Sequence, residues 1–215
     1  MIVAIDGPAG AGKSTVARAV AERLGFAHMD TGAMYRAVTI AVLAGDADPA
    51  DPTTLGTVIA GIEMALDDPR VYLGGDDVTD RLRSPEVTDA VSSVAAEPAV
   101  RAALVPLQKQ LADDHDVVVE GRDIGTVVFP TAEVKIYLTA SPEQRARRRR
   151  LQLGLSTDDV AVAEEMRVRD AADASRSLSP LLQAEGAHRI DSTEMSFDEV
   201  TAAIVALVEQ HRGPS

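Results

Sequence analysis

The chain opens with an unbroken apolar run, Ile2–Ile5, rich in β-branched side chains, which predicts a strand buried on both faces. Gly7 to Gly12 is too glycine-rich to extend it. From Lys13 the period changes: Val16, Ala17, Val20, Ala21 and Leu24 recur at helical spacing, and Gly25 supplies a stop. Ala27–Met29 reads as a second short strand, followed by a helix from about Gly32 to Leu43. The stretch Gly45–Pro52 is turn chemistry and marks a boundary. Two short strands are predicted at Ile62–Leu66 and Arg70–Leu73, with Gly74-Gly75-Asp76-Asp77 turning towards Val78-Thr79. Helices over about Pro85–Ala95 and Pro98–Ala112 each carry proline in the first turn, where its missing N–H costs nothing. Val117–Val119, Val134–Leu138 and His188–Ile190 resume the strands, and a last helix runs from Ser196 or Phe197 to about Glu209. Strands alternating with helices predict an α/β fold, a parallel sheet covered on both faces, interrupted by a small β-containing subdomain.

Composition narrows the possible functions. The 215 residues include 46% apolar and 26% charged positions, enough to bury a large core. Lys and Arg total 21 against 34 Asp and Glu, a net charge of −13, which disfavours binding to nucleic acid or anionic membranes. With no cysteine, disulfides and thiolate chemistry are excluded. His28, His115, His188 and His211 show no metal-ligand spacing, and each reads as an ordinary satisfied or surface histidine. No secretory leader or membrane-length apolar run is visible, so a cytoplasmic protein is expected. Against the acidity stands one basic run: Arg145, Arg147, Arg148, Arg149 and Arg150. On a helix these like charges repel unless an acid or a bound anion offsets them.

The most informative segment is Gly7-Pro8-Ala9-Gly10-Ala11-Gly12-Lys13-Ser14, which fits G-x-x-x-x-G-K-[ST] between a strand and a helix. Backbone N–H groups and the helix N-terminus suit phosphate oxygens. Lys13 suits the β- and γ-phosphates and the Ser14 hydroxyl suits Mg²⁺. None of the three lysines is followed by Asp two residues on, so the guanine-reading [NT]-K-x-D pattern of GTPases is missing. A small kinase fits better, because arginines at element ends can bring two anions together: Arg36, Arg101, Arg122, Arg169 and Arg176. Arg122 follows Glu120 at the C-terminal edge of a predicted parallel strand, where such sheets bind ligands. Glu120 or Asp123 there is a candidate to hold Mg²⁺ through water.

Taken together, these segments resemble the bacterial cytidylate (CMP) kinases, nucleoside monophosphate kinases among the P-loop NTPases, over nearly the whole chain. The resemblance is carried by Ile5–Thr15, by Asp30-Thr31-Gly32-Ala33-Met34-Tyr35-Arg36, and by Asp77-Val78-Thr79, Leu82-Arg83, Val91-Ser92 and Val100-Arg101. Its most specific part is Glu120-Gly121-Arg122-Asp123-Ile124-Gly125-Thr126-Val127-Val128-Phe129-Pro130. Arg169-Asp170, Asp173, Arg176, Ser179-Pro180-Leu181 and Asp191-Ser192-Thr193 complete it. Ala9 stands where many members have serine, Thr31 where serine is frequent, and residues 153–169 are a few positions shorter than in some relatives.

The resemblance implies a five-stranded P-loop core over 1–56 and 97–215, with an Arg-rich helical lid at about 145–177. It also implies a monophosphate-binding insert over 57–96, and Mg-dependent transfer from ATP to CMP or dCMP. By position, ATP would be held by residues 7–15, from Gly7 to Thr15, with Lys13, Arg122 and Arg176 catalytic. Arg36, Arg122 and Arg176 would hold phosphates; Ser92, Arg101 and Asp123 would meet cytosine, with Thr31 nearby; Arg169 and Asp173 would meet the sugar. A monomer with small-molecule substrates and no nucleic-acid or membrane partner is expected. The competing readings are a P-loop kinase for UMP or a non-nucleotide metabolite, and an ATP-responsive or RNA-binding module using residues 145–150. A non-nucleotide acceptor with a hydroxyl nucleophile, such as a sugar or a shikimate-like acid, would need a carboxylate base; the RNA-binding reading lacks interleaved aromatics.

Overall fold

A computed structural model of the chain describes residues 1–45, 47–48, 51–154, 158–176 and 178–212, without the side chains of Pro52 and Leu153. Asp46, Pro49 and Ala50 of the expected turn, and residues 155–157 and 177 of the expected lid, lie outside the described residues. In chain order the elements begin with β1 (Ile2–Asp6), α1 (Lys13–Leu24), β2 (Ala27–Asp30), α2 (Thr31–Ala44) and α3 (Pro52–Ala60). There follow β3 (Met64–Asp67), β4 (Arg70–Leu73), β5 (Asp76–Asp77), a 3₁₀ turn at Thr79–Arg83, α4 (Pro85–Val94) and α5 (Pro98–Leu111). The last third holds β6 (Val117–Gly121), a π-helical turn at Ile124–Val128, β7 (Val134–Thr139), α6 (Pro142–Leu153), α7 (Asp159–Ser175), β8 (His188–Asp191) and α8 (Phe197–Arg212).

These elements fall into two compact units. One comprises Met1–Met29 with Ala112–Ser215, the other Asp30–Leu111. The first is built on a five-stranded parallel sheet in the order β2-β6-β1-β7-β8. Val3 to Asp6 and Val117 to Glu120 are buried without alternation. Successive strand side chains point to opposite faces, so such runs mean that both faces are covered. Val3, Ile5, Val118, Ile136 and Leu138 pack with Val16 and Val20 of α1 and Val200, Ile204 and Val208 of α8. The sheet order places β1 centrally, so the loop after it emerges in the middle of the C-terminal edge.

The Asp30–Leu111 unit contains the antiparallel sheet β3-β4-β5, paired as Leu66↔Val71 and Tyr72↔Asp77 among others. Val71, Val78, Leu82 and Val87 pack against Ala37 and Ile40 of α2. This unit contains residues 57–96 together with α2, α3 and α5. No single described helix is long and apolar enough to cross a membrane.

Four elements depart from the pattern-based expectation. The helix α3 begins on Asp51-Pro52, where the Asp51 side chain accepts from Thr53 N–H and proline occupies the first turn. Those residues read as turn formers because N-caps and turns use the same chemistry. α7 has few buried positions, Val162, Met166 and Asp173, and its polar length hides its period. The strand expected at 62–66 lies at Met64–Asp67, and the third strand is Asp76–Asp77 where a turn was expected.

Candidate active site

The loop after β1 is shaped by backbone crowding as much as by phosphate chemistry. A Cβ on Gly7 would sit 2.0 Å from the Leu138 carbonyl oxygen, so no side chain fits beside β7. At Gly10, φ is +70° and a Cβ would come within 2.8 Å of the Arg145 carbonyl oxygen, so α6 packs directly on the loop. Lys13 Nζ donates to the Pro8 carbonyl at 2.9 Å, closing the loop on itself. Ser14 Oγ donates to Glu120 Oε2 at 2.9 Å, joining the start of α1 to the end of β6. Thr15 is exposed on the first turn of α1.

The basic run Arg145–Arg150 now has partners. Arg145 Nη1 donates to the Ala9 carbonyl at 3.1 Å and also to Asp170 Oδ2. Asp170 Oδ1 in turn accepts the Ala9 N–H at 3.1 Å, so one carboxylate holds both the loop amide and the arginine behind it. Arg148 donates to the Ala11 carbonyl at 3.3 Å and to Ser192 Oγ at 2.9 Å. Arg150 pairs with Asp159 at 2.5 Å, and Arg149 reaches Gln152 at 3.3 Å. Two of the five arginines therefore buttress the phosphate loop from α6 through its carbonyls, a role that composition could not indicate.

A second cationic group surrounds Asp173, which is 2% exposed. Arg122 Nε donates to Asp173 Oδ2 at 3.0 Å, and Arg176 Nη2 donates to Asp173 Oδ1 at 2.6 Å. Arg122 also donates through Nη1 to the Gly7 carbonyl at 2.5 Å, so it ties this group to the phosphate loop. Arg169 is half-buried nearby, and its enclosed Nε has no hydrogen-bond partner. Burial first, and the Arg122 charge second, push its guanidinium below the usual range, while Asp173 acts the other way. Two guanidiniums thus bond to one carboxylate, and Arg169 feels the charges of both Asp173 and Asp170, so three guanidiniums face two carboxylates beside the loop.

Asp6, at the end of β1, accepts from Ile124 N–H at 2.8 Å and Gly125 N–H at 2.7 Å. These bonds fix the entry to the π-helical turn after Asp123. Burial pushes the Asp6 carboxyl up to about 6, against those two N–H groups. Because the folded value exceeds the unfolded one, Asp6 adds stability as pH falls from about 6 to about 4 and loses it as pH rises through that window. Urea unfolding should show the stability difference between the native chain and Asp6→Asn shrinking between pH 4 and pH 6 and flat above pH 7. A difference constant across that range would refute the assignment.

The remaining expected residues lie in the Asp30–Leu111 unit. Thr31, 3% exposed, begins α2 behind an N-cap in which Asp30 accepts the Ala33 N–H at 3.0 Å. Arg36 of α2 donates to the Leu82 carbonyl at 3.0 Å and to Thr88 Oγ1 at 3.1 Å, joining α2 to α4. Arg101 of α5 lies 5.7 Å from the Tyr35 ring centroid, a cation–π arrangement, and Ser92 sits on α4. In the other unit Asp123 is 5% exposed, between β6 and the π-helical turn.

A parallel sheet whose central strand runs into a glycine loop and a helix N-terminus, with lysine, hydroxyl and arginines around it, defines a P-loop kinase. A family model described as cytidylate kinase matches residues 3–210, and the chain belongs to that family. It is therefore a nucleoside monophosphate kinase, a transferase. A cytidylate kinase of Mycobacterium leprae is 51% identical over 99% of this chain and 97% of its own length. A bifunctional pantoate ligase/cytidylate kinase of Prochlorococcus marinus is 50% identical over 96% of this chain, which spans under half, 44%, of that longer protein. The solved shikimate kinase of Acinetobacter baumannii, 16% identical, superposes with a TM-score of 0.52 over 99% of this chain and 95% of its own, and shares the fold.

Sequence reasoning missed Asp170, Arg145 and Arg148 as loop supports, and His28 as a partner of Glu120. Asp170 was visible only as part of a family motif, Arg145 and Arg148 only as members of the basic run, and nothing local marks His28.

Proposed function

We propose that the chain transfers the γ-phosphoryl group of ATP to CMP or dCMP, giving ADP and CDP or dCDP. The observation that carries this reading is the cationic group at Asp173: Arg122 and Arg176 bonded to its two oxygens, with Arg169 nearby. An acceptor that is itself a phosphate needs concentrated positive charge and no base, since its attacking oxygen is already ionised near neutral pH. Three of the four buried carboxylates among the described residues fit that need, the fourth being Asp123. Asp6, Glu120 and Asp173 each have both oxygens occupied by protein partners, so none stands ready to deprotonate a hydroxyl.

In this reading residues 7–15 bind the ATP phosphates through loop amides and the α1 N-terminus, with Lys13 on the β- and γ-phosphates. Arg36, Arg122 and Arg176 hold the acceptor and transferring phosphates, and Arg169 and Asp173 meet the sugar. Ser92, Arg101 and Asp123 meet the cytosine, with Thr31 nearby. Cytosine presents a donor at N4 beside acceptors at N3 and O2, which suits a carboxylate with an arginine and a hydroxyl. Residues 57–96 serve as the monophosphate-binding insert and about 145–177 as the lid.

Magnesium fits the donor set: Ser14 Oγ and Glu120 Oε2 are adjacent hard oxygens, suited to Mg²⁺. Among the described residues no three acidic or imidazole groups form a self-sufficient metal cage. A cation held by few protein oxygens is completed by nucleotide phosphates and water. When bound, it neutralises phosphate charge. The same reading takes the chain as a cytoplasmic monomer without nucleic-acid or membrane partners; the net charge of −13 disfavours those two anionic partners.

Turnover of CMP, dCMP, UMP, AMP and shikimate with ATP and Mg²⁺ tests the reading. CMP or dCMP is expected to be fastest; faster turnover of another acceptor overturns it. Asp123→Ala is expected to lower the CMP-over-UMP ratio of kcat/KM by about 10-fold or more while sparing ATP binding. An unchanged ratio would remove Asp123 from base reading.

A further inference from the structure

Glu120 is 3% exposed and uses its two oxygens differently. Oε2 accepts from Ser14 Oγ at 2.9 Å, whereas Oε1 lies 3.3 Å from His28 Nε2. The His28 side chain is 4% exposed. Histidine and glutamate are 92 residues apart in sequence and meet because β2 and β6 are neighbours in the sheet. A buried carboxylate with one oxygen on a hydroxyl needs a donor for the other, which favours the Nε2–H tautomer of His28.

The terminal torsion of a glutamate is broad, so the Ser14 contact alone does not fix the carboxylate plane. A second contact on the opposite oxygen does. We propose that His28 is a positioning residue. It holds the Glu120 carboxylate so that Oε2 and Ser14 Oγ stay together as the oxygen pair offered to the divalent cation of the nucleotide. The inference rests on the ATP and Mg²⁺ reading above and extends it to a side chain on β2. It follows the general pattern in which groups behind a metal's oxygen donors set their orientation.

The test is calorimetric binding of ATP, with no acceptor present, in EDTA and in Mg²⁺. It compares the native chain with His28→Leu, His28→Asn and His28→Gln. Leucine has no donor. The asparagine amide is too short to take the place of Nε2, while the longer glutamine amide can. The leucine and asparagine variants are expected to bind metal-free ATP like the native chain and to need about 10-fold or more Mg²⁺ for half-saturation. Glutamine should restore most of the native value.

Folded leucine or asparagine variants with the native Mg²⁺ dependence overturn the proposal. So does an equal loss of ATP affinity with and without Mg²⁺, which is the signature of a merely structural role. If the leucine variant does not fold, the asparagine and glutamine pair decides. A native chain that binds no ATP overturns the nucleotide reading itself and takes this inference with it, an outcome distinct from a failure of His28 alone.

Discussion

Lys13→Ala is expected to lower kcat for phosphoryl transfer from ATP to CMP by about 10²–10³-fold or more, the range seen when a preorganised charge is removed from a transition state. The loop amides that neighbour Lys13 are dipoles, and Arg145 and Arg148 meet the loop through its carbonyls at Ala9 and Ala11. Lys13 is thus the full charge carried by the loop segment itself. Its bond to the Pro8 carbonyl at 2.9 Å is local, and the variant should keep its fold and near-native unfolding temperature. Steady-state rates at saturating ATP and CMP, with circular dichroism to check folding, decide the matter. A folded variant within tenfold of the native rate would sink the role given to Lys13.

Arg122→Lys should be nearly as damaging, with kcat down about 10²-fold or more, even though the charge is kept. The reason is geometric. Arg122 joins two partners at once, Asp173 through Nε and the Gly7 carbonyl through Nη1. An ammonium at the end of a flexible stem cannot reproduce that fork. Asp173 would keep Arg176 at 2.6 Å and so remain paired, which limits the loss of stability. The expected signature is a large fall in kcat with a small change in urea midpoint. Equal activity of the lysine variant would show that charge alone suffices and that the fork is incidental.

Much of the fold was legible because it rests on local rules. Val16, Ala17, Val20 and Ala21 recur at the helical period and are the residues α1 buries. Gly25 stops that helix with φ +69°. Pro85 and Pro98 each open a helix, as proline in a first turn predicts. By contrast α3 escaped notice because Asp51-Pro52 serves a turn and a helix start equally well. α7 was expected only as part of the helical lid that the resemblance implied, because a long polar helix with few buried positions leaves no stripe.

By itself, the sequence determined the strand, the phosphate loop and the helix after it, and the segments that carry the family resemblance. All of these depend on neighbours within a turn or two. Only the tertiary structure decided what stands around that loop. Ser14 meets Glu120 across 106 residues, Arg122 meets Asp173 across 51, and Arg145 meets the Ala9 carbonyl across 136. Those pairings follow from strand order and from α6 packing on Gly10, which no local period encodes. The arginine run shows the division most clearly. Its composition suggested anions, but packing turned Arg145 and Arg148 towards the loop's carbonyls and left the scattered Arg122 and Arg176 to meet at one buried aspartate, with Arg169 nearby.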